Sequence, residues 1–308
     1  MGEKTVAGKS RKDRAEKYLE AYPDVFADIV NVLLFGKQVI VPENLLDGPT
    51  EAVYKAESGE ELLEQRRDIS KYVVRNGKRR LLLGLENQSK PDKDMVFRLM
   101  GYDYTSYRSQ IQSGEKCYPV ISVVLYFGEK LWRGPLSISE RLRSTPEYKN
   151  ELIDYKIHLI DVPRLPKKIR NQFTSDFRVI ADFFASRERA DYIPDDRVLD
   201  HAEAVLHLLR VFTGDKRYEE IEAEIADGCR KGERFSMCEF AERMERKGIE
   251  KGICQGLSQG LSQGRKEGME EITWNMVKNM LQRGMPDEDI CAIAECSPKY
   301  VERVRKNM

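Results

Sequence analysis

Apolar residues near the start of the chain recur at helical spacing and then give way to a polar stretch. The positions that follow Pro23-Asp24 lie three or four residues apart: Phe26, Ile29, Val30, Leu33 and Leu34. Because Pro-Asp is a helix start signal, this spacing predicts a helix from residue 24 to about residue 34. A short β-branched run follows at residues 38–41, and we expect the polar stretch from there to residue 60 to be a loop.

The next segments carry the pattern of a β-hairpin. Residues 66–74 contain several strand-forming side chains, and Asn76-Gly77 is a strong signal for a two-residue turn. Residues 79–88, with the sequence RRLLLGLENQ, hold a leucine-rich run long enough for a buried strand in the middle of a sheet. We therefore predict two antiparallel strands, the second of them buried.

Helices and strands alternate after the hairpin. Helical spacing follows Pro91 as far as about Ile111, and residues 118–127 have a strong strand pattern. A further strand is predicted at residues 156–162, with helices near residues 169–190 and 199–212. This order of elements predicts an α/β fold in which a mixed sheet is flanked by helices.

The last part of the chain contains no convincing strand and has a glycine repeat. Six glycines lie four residues apart: Gly248, Gly252, Gly256, Gly260, Gly264 and Gly268. Each interior glycine destabilises a helix by about 1 kcal/mol relative to alanine, but glycines at this spacing also let two helices approach closely. The repeat is therefore either a flexible linker or a self-association helix, and the second alternative would give a homo-oligomer, most simply a dimer.

Three short helices are predicted beyond the repeat, at residues 270–282, 286–295 and 298–306. The second and third have the spacing of a helix-turn-helix, in which the basic residues of the last helix would face DNA: Lys299, Arg303, Arg305 and Lys306. A small helical interaction module is the alternative. We favour it slightly, because no pattern here is suited to reading a base.

Composition limits the class of protein without indicating a partner. The 308 residues include 52 Lys+Arg and 52 Asp+Glu, so any basic surface must be local. The six cysteines lack zinc-ligand spacing, which is typical of reduced thiols in a cytoplasmic protein. No apolar leader and no run of eighteen apolar residues is present, so neither export nor a membrane association is predicted.

The polar end of the buried strand is suited to metal-dependent hydrolysis. Phosphodiester cleavage uses a hard divalent cation, which prefers carboxylate and carbonyl oxygens. Asp68 lies on the first predicted strand and Glu86 near the end of the second, while the period-two rule places Gln88 on the same face as Glu86. We expect Asp68, Glu86 and the backbone carbonyl of Asn87 to bind the metal, and Gln88 to orient the attacking water or a phosphate oxygen.

The register of the hairpin decides whether these side chains meet. An ideal two-residue turn pairs Arg75 with Lys78 and places Asp68 opposite Leu85, one position short of Glu86. Convergence therefore requires a three-residue loop or a β-bulge. An Asp followed by Glu-x-Gln also arises often by chance, and a glutamate at a strand end is more often a solvated edge. The buried, leucine-rich context favours a functional site, because burying polar groups there is costly.

Several segments between about residues 20 and 140 carry a family resemblance: PDVFADIVNVLLFGKQVIVPENL, RRDISK, LLLGLENQSKPDKDMVFRLMGYDYTSY and PVISVVLYFGEKLWRGPLSI. They resemble the Rpn family of recombination-promoting nucleases, also described as YhgA-like transposases of the PD-(D/E)XK superfamily. The resemblance implies a restriction-endonuclease-like core in which Asp68 and Glu86 bind Mg²⁺, or another divalent cation such as Mn²⁺ or Ca²⁺. Gln88 stands where that superfamily usually has a lysine, so slower or more metal-dependent catalysis is expected.

The resemblance and the charge pattern suggest further site residues. The first helix of the superfamily often adds an acid, for which Asp28 is the first candidate and Glu43 the second; a plain surface carboxylate is an equal alternative for both. Candidate DNA-binding residues surround the site: Arg66, Arg67, Lys90, Arg98 and Tyr102. Tyr102 also shares an apolar stripe with Met95 and Leu99, which favours a core role.

Two functional hypotheses result. The first is a cytoplasmic, metal-dependent DNA endonuclease associated with recombination or mobile-element DNA processing. The second is a DNA-binding or assembly protein that retains the nuclease fold with weak or no catalysis. The expected organisation is a PD-(D/E)XK-like nuclease domain with a helical extension at residues 1–230, the glycine repeat at 231–269 and a small helical tail at 270–308.

Overall fold

The computed structural model describes residues 19–55, 62–114, 116–142, 146–187, 193–194, 196–213 and 216–308. The chain forms two compact units, Met1–Glu242 and Arg243–Met308. The first unit holds all the described strands and the second is entirely helical apart from its turns. No helix among the described residues has both the length and the apolar character needed to cross a membrane.

A five-stranded mixed sheet lies at the centre of the first unit. The described strands are β1 (Leu45–Asp47), β2 (Glu51–Lys55), β3 (Leu62–Arg66), β4 (Ile69–Arg75), β5 (Lys78–Gln88), β6 (Val120–Tyr126) and β7 (His158–Asp161). The main sheet has the order β1-β4-β5-β6-β7, and β2 pairs with β3 in a separate two-stranded sheet. Strands β1, β4 and β5 are antiparallel, whereas β5, β6 and β7 are parallel. The predicted α/β class with a mixed sheet is confirmed.

The hairpin between β4 and β5 has the predicted turn and a β-bulge. Asn76 and Gly77 have φ values of 53° and 69°, the positive values that a tight hairpin turn of this type requires. Arg75 pairs with Lys78 and Val74 with Arg79, but Val73 pairs with Leu81, so one residue of β5 is left over. This bulge shifts the register by the one position that is needed for Asp68 to meet Glu86. Ile69 consequently pairs with Leu85.

Helices cover the sheet and continue the chain beyond it. Those of the first unit are α1 (Pro23–Val30), α2 (Met95–Ser113), α3 (Ile138–Leu142), α4 (Pro146–Lys149), α5 (Lys167–Arg170), α6 (Phe177–Arg187), α7 (Ala202–Thr213) and α8 (Lys216–Arg230). A π-helical turn, Asn31–Phe35, extends α1 and ends at Gly36, whose φ is 63°. The predicted first helix is therefore confirmed.

The segment that we expected to be a loop up to residue 60 is not one. It contains β1 and β2, and β3 follows shortly afterwards, while the β-branched run at 38–41 forms no strand. The prediction was wrong because β1 has only three residues and β2 pairs locally with β3, so neither has a long apolar pattern. Strands this short are stabilised by pairing rather than by their own sequence.

Helix α2 packs on the sheet next to the candidate site. Its buried side chains Met95, Val96, Leu99 and Tyr102 form one apolar cluster with Val124 of β6. The residues at the ends of the adjacent strands are thereby held against a rigid helix. This packing fixes the position of the first turns of α2, from which Arg98 extends towards β5.

The second unit contains most of a very long helix and two short ones: α9 (Met237–Gln282), α10 (Asp287–Ile293) and α11 (Pro298–Lys306). All six repeat glycines lie within α9, so the repeat is helical. Near the end of α9, Val277 packs with Ile290, Val301 and Val304 to form a small buried core. The helices predicted at 286–295 and 298–306 correspond to α10 and α11, whereas the one predicted at 270–282 is the end of α9.

Candidate active site

Asp68, Glu86 and Gln88 come together where β4 begins and β5 ends. The backbone nitrogen of Asp68 lies 3.4 Å from Oε2 of Glu86, and Nε2 of Gln88 lies 3.3 Å from Oε1 of the same carboxylate. The backbone N–H of Asn87 donates a 2.7 Å hydrogen bond to Oδ2 of Asp68. Asp68 is half-buried, whereas Glu86, Asn87 and Gln88 are buried. The bulged hairpin thus brings the three side chains to a single point.

A cation from the neighbouring helix neutralises Glu86. Arg98 of α2 forms an ion pair with Oε1 of Glu86 and a second one, of 3.1 Å, with Asp92. Burial is the largest single influence and opposes the charge of the guanidinium. The carboxylate of Glu86, with further contributions from Tyr102 and Asp92, outweighs it, and the pKa of Arg98 is raised above its ordinary value. The positive charge that Gln88 cannot supply therefore reaches Glu86 from α2.

A third carboxyl group, Glu20, lies beside the site and was not predicted. It is only 1% exposed, and its Oε2 accepts a 2.7 Å hydrogen bond from Nδ2 of Asn87. Burial raises the pKa of Glu20 to about 8, against the opposing effect of the Asn87 hydrogen bond and with a contribution from the charge of Asp68. The sequence predicts a helix that begins near Asp24 and so leaves Glu20 outside it, yet Leu19 and Glu20 are already helical.

The oxygens at this strand end fit a small divalent cation. Sites for Mg²⁺ commonly use one or two carboxylates and complete the shell with carbonyls and water. Asp68 and Glu86 supply the carboxylates. The N–H of Asn87 faces Asp68, and in a strand the carbonyl of the same residue faces the same side. Within the described part of the chain there is no cluster of three or more His, Cys, Asp or Glu side chains suited to a metal, so the remaining ligands would have to be backbone and solvent oxygens.

Arg67 stabilises the fold rather than a DNA-binding surface, which corrects its predicted role. It is 3% exposed, and Nη2 donates to Oδ1 of Asp103 at 2.9 Å and to Ser122 at 3.0 Å. Oδ2 of Asp103 in turn accepts a 2.6 Å hydrogen bond from Tyr155. The side chain fits because residue 84 is glycine: a Cβ there would lie 2.8 Å from Cδ of Arg67. A guanidinium that is buried and paired with Asp103 is not accessible to a phosphate.

The other candidate DNA-binding residues have different environments. Tyr102 is 3% exposed and packs in the core, so it is not available for base stacking; burial and then the charge of Glu86 raise its pKa. Lys90 is exposed and follows the site directly in sequence. Arg98 is half-buried and engaged by Glu86 and Asp92. The side chain of Arg66 lies outside the described residues.

The two auxiliary acids proposed from the sequence do not join the site. Both oxygens of Asp28 are used at another position, where they accept hydrogen bonds from the backbone and side chains of Thr174 and Ser175. Asp28 therefore holds the segment that precedes α6. Glu43 is exposed in a short 3-10 turn. The acid that approaches Asp68 from the first helical segment is Glu20, which lies eight residues before Asp28.

The comparisons with known proteins give one family. No curated protein and no solved structure matched the chain. Residues 71–208 match the sequence model of a family described as "Putative transposase, YhgA-like". The matched segment begins inside β4 and ends in α7, and it includes Glu86, Asn87, Gln88 and Arg98. Over these residues, which are less than half of the chain, the expected resemblance to YhgA-like transposases is confirmed.

Proposed function

We propose that this protein is a metal-dependent endonuclease that hydrolyses phosphodiester bonds of DNA. The observation that carries the proposal is the convergence of Asp68 and Glu86 on one another through a register-shifting bulge. A bulge that brings two acids together at the end of a buried strand is costly for folding, because like charges repel and burial disfavours them. Such an arrangement is typical of a site that binds a cation.

Each residue has a defined role in the proposed reaction. Asp68, Glu86 and the carbonyl of Asn87 would hold Mg²⁺, Mn²⁺ or Ca²⁺, and the bound ion would polarise the phosphate and lower the pKa of a bound water. Gln88 donates a hydrogen bond from Nε2 to Glu86 and so orients the carboxylate. The side-chain oxygen Oε1 of Gln88 would position the attacking water. Arg98 lies close enough to supply positive charge to a phosphate that approaches Glu86.

The family supports DNA as the substrate. The chain matches YhgA-like transposases over residues 71–208. A role in recombination or mobile-element DNA processing in the cytoplasm follows as part of this proposal. Exposed Lys90 remains the candidate for phosphate contact next to the site.

A plasmid-nicking assay tests this function. Supercoiled DNA would be incubated with the full chain and Mg²⁺, Mn²⁺, Ca²⁺ or EDTA. We expect nicking with at least one of the ions, none with EDTA, and a loss of at least about 100-fold in Asp68→Asn and Glu86→Gln, since each removes a metal ligand. Glu147→Gln, which changes an exposed carboxylate of α4, is the matched control and should nick at the wild-type rate. Equal nicking by wild type and Asp68→Asn would contradict the proposal.

A second function, DNA binding without cleavage, is favoured by the residues around Glu86. Gln88 replaces the usual lysine, and Arg98 instead pairs with Glu86. A protein that binds DNA without cutting it would tolerate both features. In the same assay, DNA binding by the wild type without nicking in any of the three ions would favour this alternative.

A further inference from the structure

An open groove with a basic lining lies beside the candidate site. Its volume is about 730 Å³, and it is lined by the segment that follows β5 and by the region around α3: Pro91, Lys93, Arg133, Gly134, Glu140 and Arg141. Three of these residues are cationic and one is acidic. The acid is engaged, because Glu140 accepts a 2.7 Å hydrogen bond from the backbone N–H of Leu136. Arg141 is paired with Asp94, so the charges of Lys93 and Arg133 stand against the single charge of Glu140, and the groove has a net positive charge.

Lys93 is held in place by its neighbours in sequence. Asp92 forms an ion pair with Arg98, and Asp94 forms one of 2.7 Å with Arg141. The side chain of Lys93 is exposed between these two anchored residues, and among the described contacts it has no acidic partner. Its amine therefore projects into the groove from a backbone segment of fixed position.

Arg133 is presented in the same way by a rigid loop. Trp132 packs on the cluster beneath α2, lies edge-on to Tyr126 at 5.2 Å, and donates a 2.9 Å hydrogen bond from Nε1 to the carbonyl of Gly134. Residue 134 must be small, since a Cβ there would lie 2.9 Å from the indole. Arg133, between these two fixed residues, is exposed and has no acidic partner among the described contacts.

The groove is connected to the candidate site through a short chain of ion pairs. Asp92, the residue before Lys93, pairs with Arg98, and Arg98 pairs with Glu86. A polyanion lying in the groove would thus be close to the carboxylates. Positioned cations that are not neutralised by acids are the groups that bind a nucleic-acid backbone without regard to sequence.

We propose that the groove between Lys93 and Arg133 binds the phosphate backbone of DNA and leads the strand to Glu86. This inference rests on the proposed function for its ligand, but it concerns binding and can be measured without cleavage. Contacts of this kind fix the position of a strand and carry no sequence information. The groove therefore predicts affinity that is independent of sequence and sensitive to salt.

The test is fluorescence anisotropy of a labelled DNA duplex, titrated with the full chain in EDTA at several salt concentrations. Each lost phosphate contact lowers the slope of log affinity against log salt by about 0.9. We expect Lys93→Ala with Arg133→Ala to lower the slope by about 2 and the affinity at low salt by about tenfold or more. The double variant Lys167→Ala with Lys168→Ala removes the same charge from exposed residues of α5 and should bind like the wild type.

The inference would be overturned by wild-type affinity and slope in the groove variant, or by an equal loss in the α5 control. Absence of DNA binding by the wild type would overturn it as well. Circular dichroism of each variant checks folding, and Arg133→Gln provides a milder substitution should the double variant unfold. The nicking assay tests the nuclease separately. Binding that depends on the groove, without nicking, would refute the nuclease but support DNA binding in the groove. Nicking, with binding that does not depend on the groove, would support the nuclease but refute DNA binding in the groove.

Discussion

Glu20 is the residue whose ionisation the fold disfavours most clearly near neutral pH. It is buried against Asn87 and close to Asp68, and these surroundings raise its pKa to about 8 from an ordinary value of 4.5. At neutral pH the side chain is therefore a neutral acid. It can stay in place without adding a third negative charge to Asp68 and Glu86.

This shift predicts a pH-dependent stability. Between about pH 4.5 and pH 8 the unfolded chain has lost the Glu20 proton while the folded chain keeps it. Folded-state stability therefore falls as pH rises through this window, by up to about 1.4 kcal/mol per pH unit, and levels off above it. Urea denaturation of wild type and Glu20→Gln at pH 5, 6, 7 and 8 in EDTA measures the effect. The free energy of unfolding of Glu20→Gln should increase relative to that of the wild type as pH rises. A difference in this free energy that stays constant with pH would contradict the prediction.

Arg98 should compete with a divalent cation for Glu86. Its guanidinium occupies Oε1 of a carboxylate that is 1% exposed, so a cation that uses this oxygen must displace it. Arg98→Met keeps the alkyl stem and removes the charge, and we expect Mn²⁺ to bind about tenfold more tightly. Isothermal titration of Mn²⁺ measures this, with Arg108→Met, an exposed arginine of the same helix, as the control. Unchanged or weaker Mn²⁺ binding by Arg98→Met would rule out competition.

The residues of the candidate site could be predicted from the sequence, but the side chains that they contact could not. Asp68, Glu86 and Gln88 were expected to meet only if a three-residue loop or a β-bulge corrected the register of an ideal turn, and a bulge does so. Arg67 and Tyr102 were assigned to DNA because their charge and aromatic character suggested it, and burial by α2 and β6 overrode that. Sequence spacing carries no information on a contact such as Arg67 with Asp103, which are 36 positions apart.

At the scale of the elements, one polar network joins the segment before β4 to α2 and β6. Asp103 accepts hydrogen bonds from Arg67, Ser122 and Tyr155, and its charge compensates a guanidinium that is 3% exposed. This network holds the residue next to Asp68 against α2. The position of Asp68 therefore depends in part on α2.

Breaking this network should destabilise the fold strongly. Asp103→Ala leaves Arg67 charged and buried, which costs about 3 to 5 kcal/mol. Adding Arg67→Met removes the unpaired charge and should recover a large part of that loss. Chemical denaturation of the single and double variants measures both changes. Asp227→Ala, which breaks exposed ion pairs with Arg230 and Lys231, is the control and should change the free energy of unfolding little. A loss in Asp103→Ala no larger than in the control would contradict this role.

The elements that the sequence predicted well are those with long apolar patterns. Strand β5 and helix α2 have eleven and nineteen residues, and both were predicted. Strands β1, β2 and β3 have three to five residues and were missed, because tertiary pairing rather than pattern determines them. The bulge was foreseen only as one of two alternatives, since periodicity does not fix which residue is left over.

At the scale of the whole molecule, the glycine repeat is the feature with no explanation inside one chain. A Cβ added at any of its last five glycines would meet no atom within 4 Å, so packing within the chain does not require them. The large apolar residues that directly follow a glycine of the repeat are more than half exposed: Ile249, Ile253, Leu257, Leu261 and Met269. We propose that a second copy of the chain covers this face, because small residues four apart let two helices approach closely.

Self-association can be tested by light scattering after size-exclusion chromatography. The wild type should have twice the chain mass of 35.7 kDa, and Leu257→Asp with Leu261→Asp should have the mass of one chain. Each change places a charge in an apolar contact, which is unfavourable without a partner. Gln255→Asp with Gln259→Asp introduces the same two charges on the other side of the helix and should leave the mass unchanged. A wild type that runs as a single chain would exclude a dimer.

The central proposal is that Asp68 and Glu86 hold a divalent cation together, and Mn²⁺ anomalous diffraction from crystals of the full chain tests it most directly. The proposal predicts an anomalous peak about 2.0 to 2.6 Å from oxygens of Asp68, Glu86 and the carbonyl of Asn87, the usual range for such ions. The peak should disappear in Asp68→Asn crystals grown under the same conditions. No peak at this position at saturating Mn²⁺, with Arg98 still paired to Glu86, would contradict it.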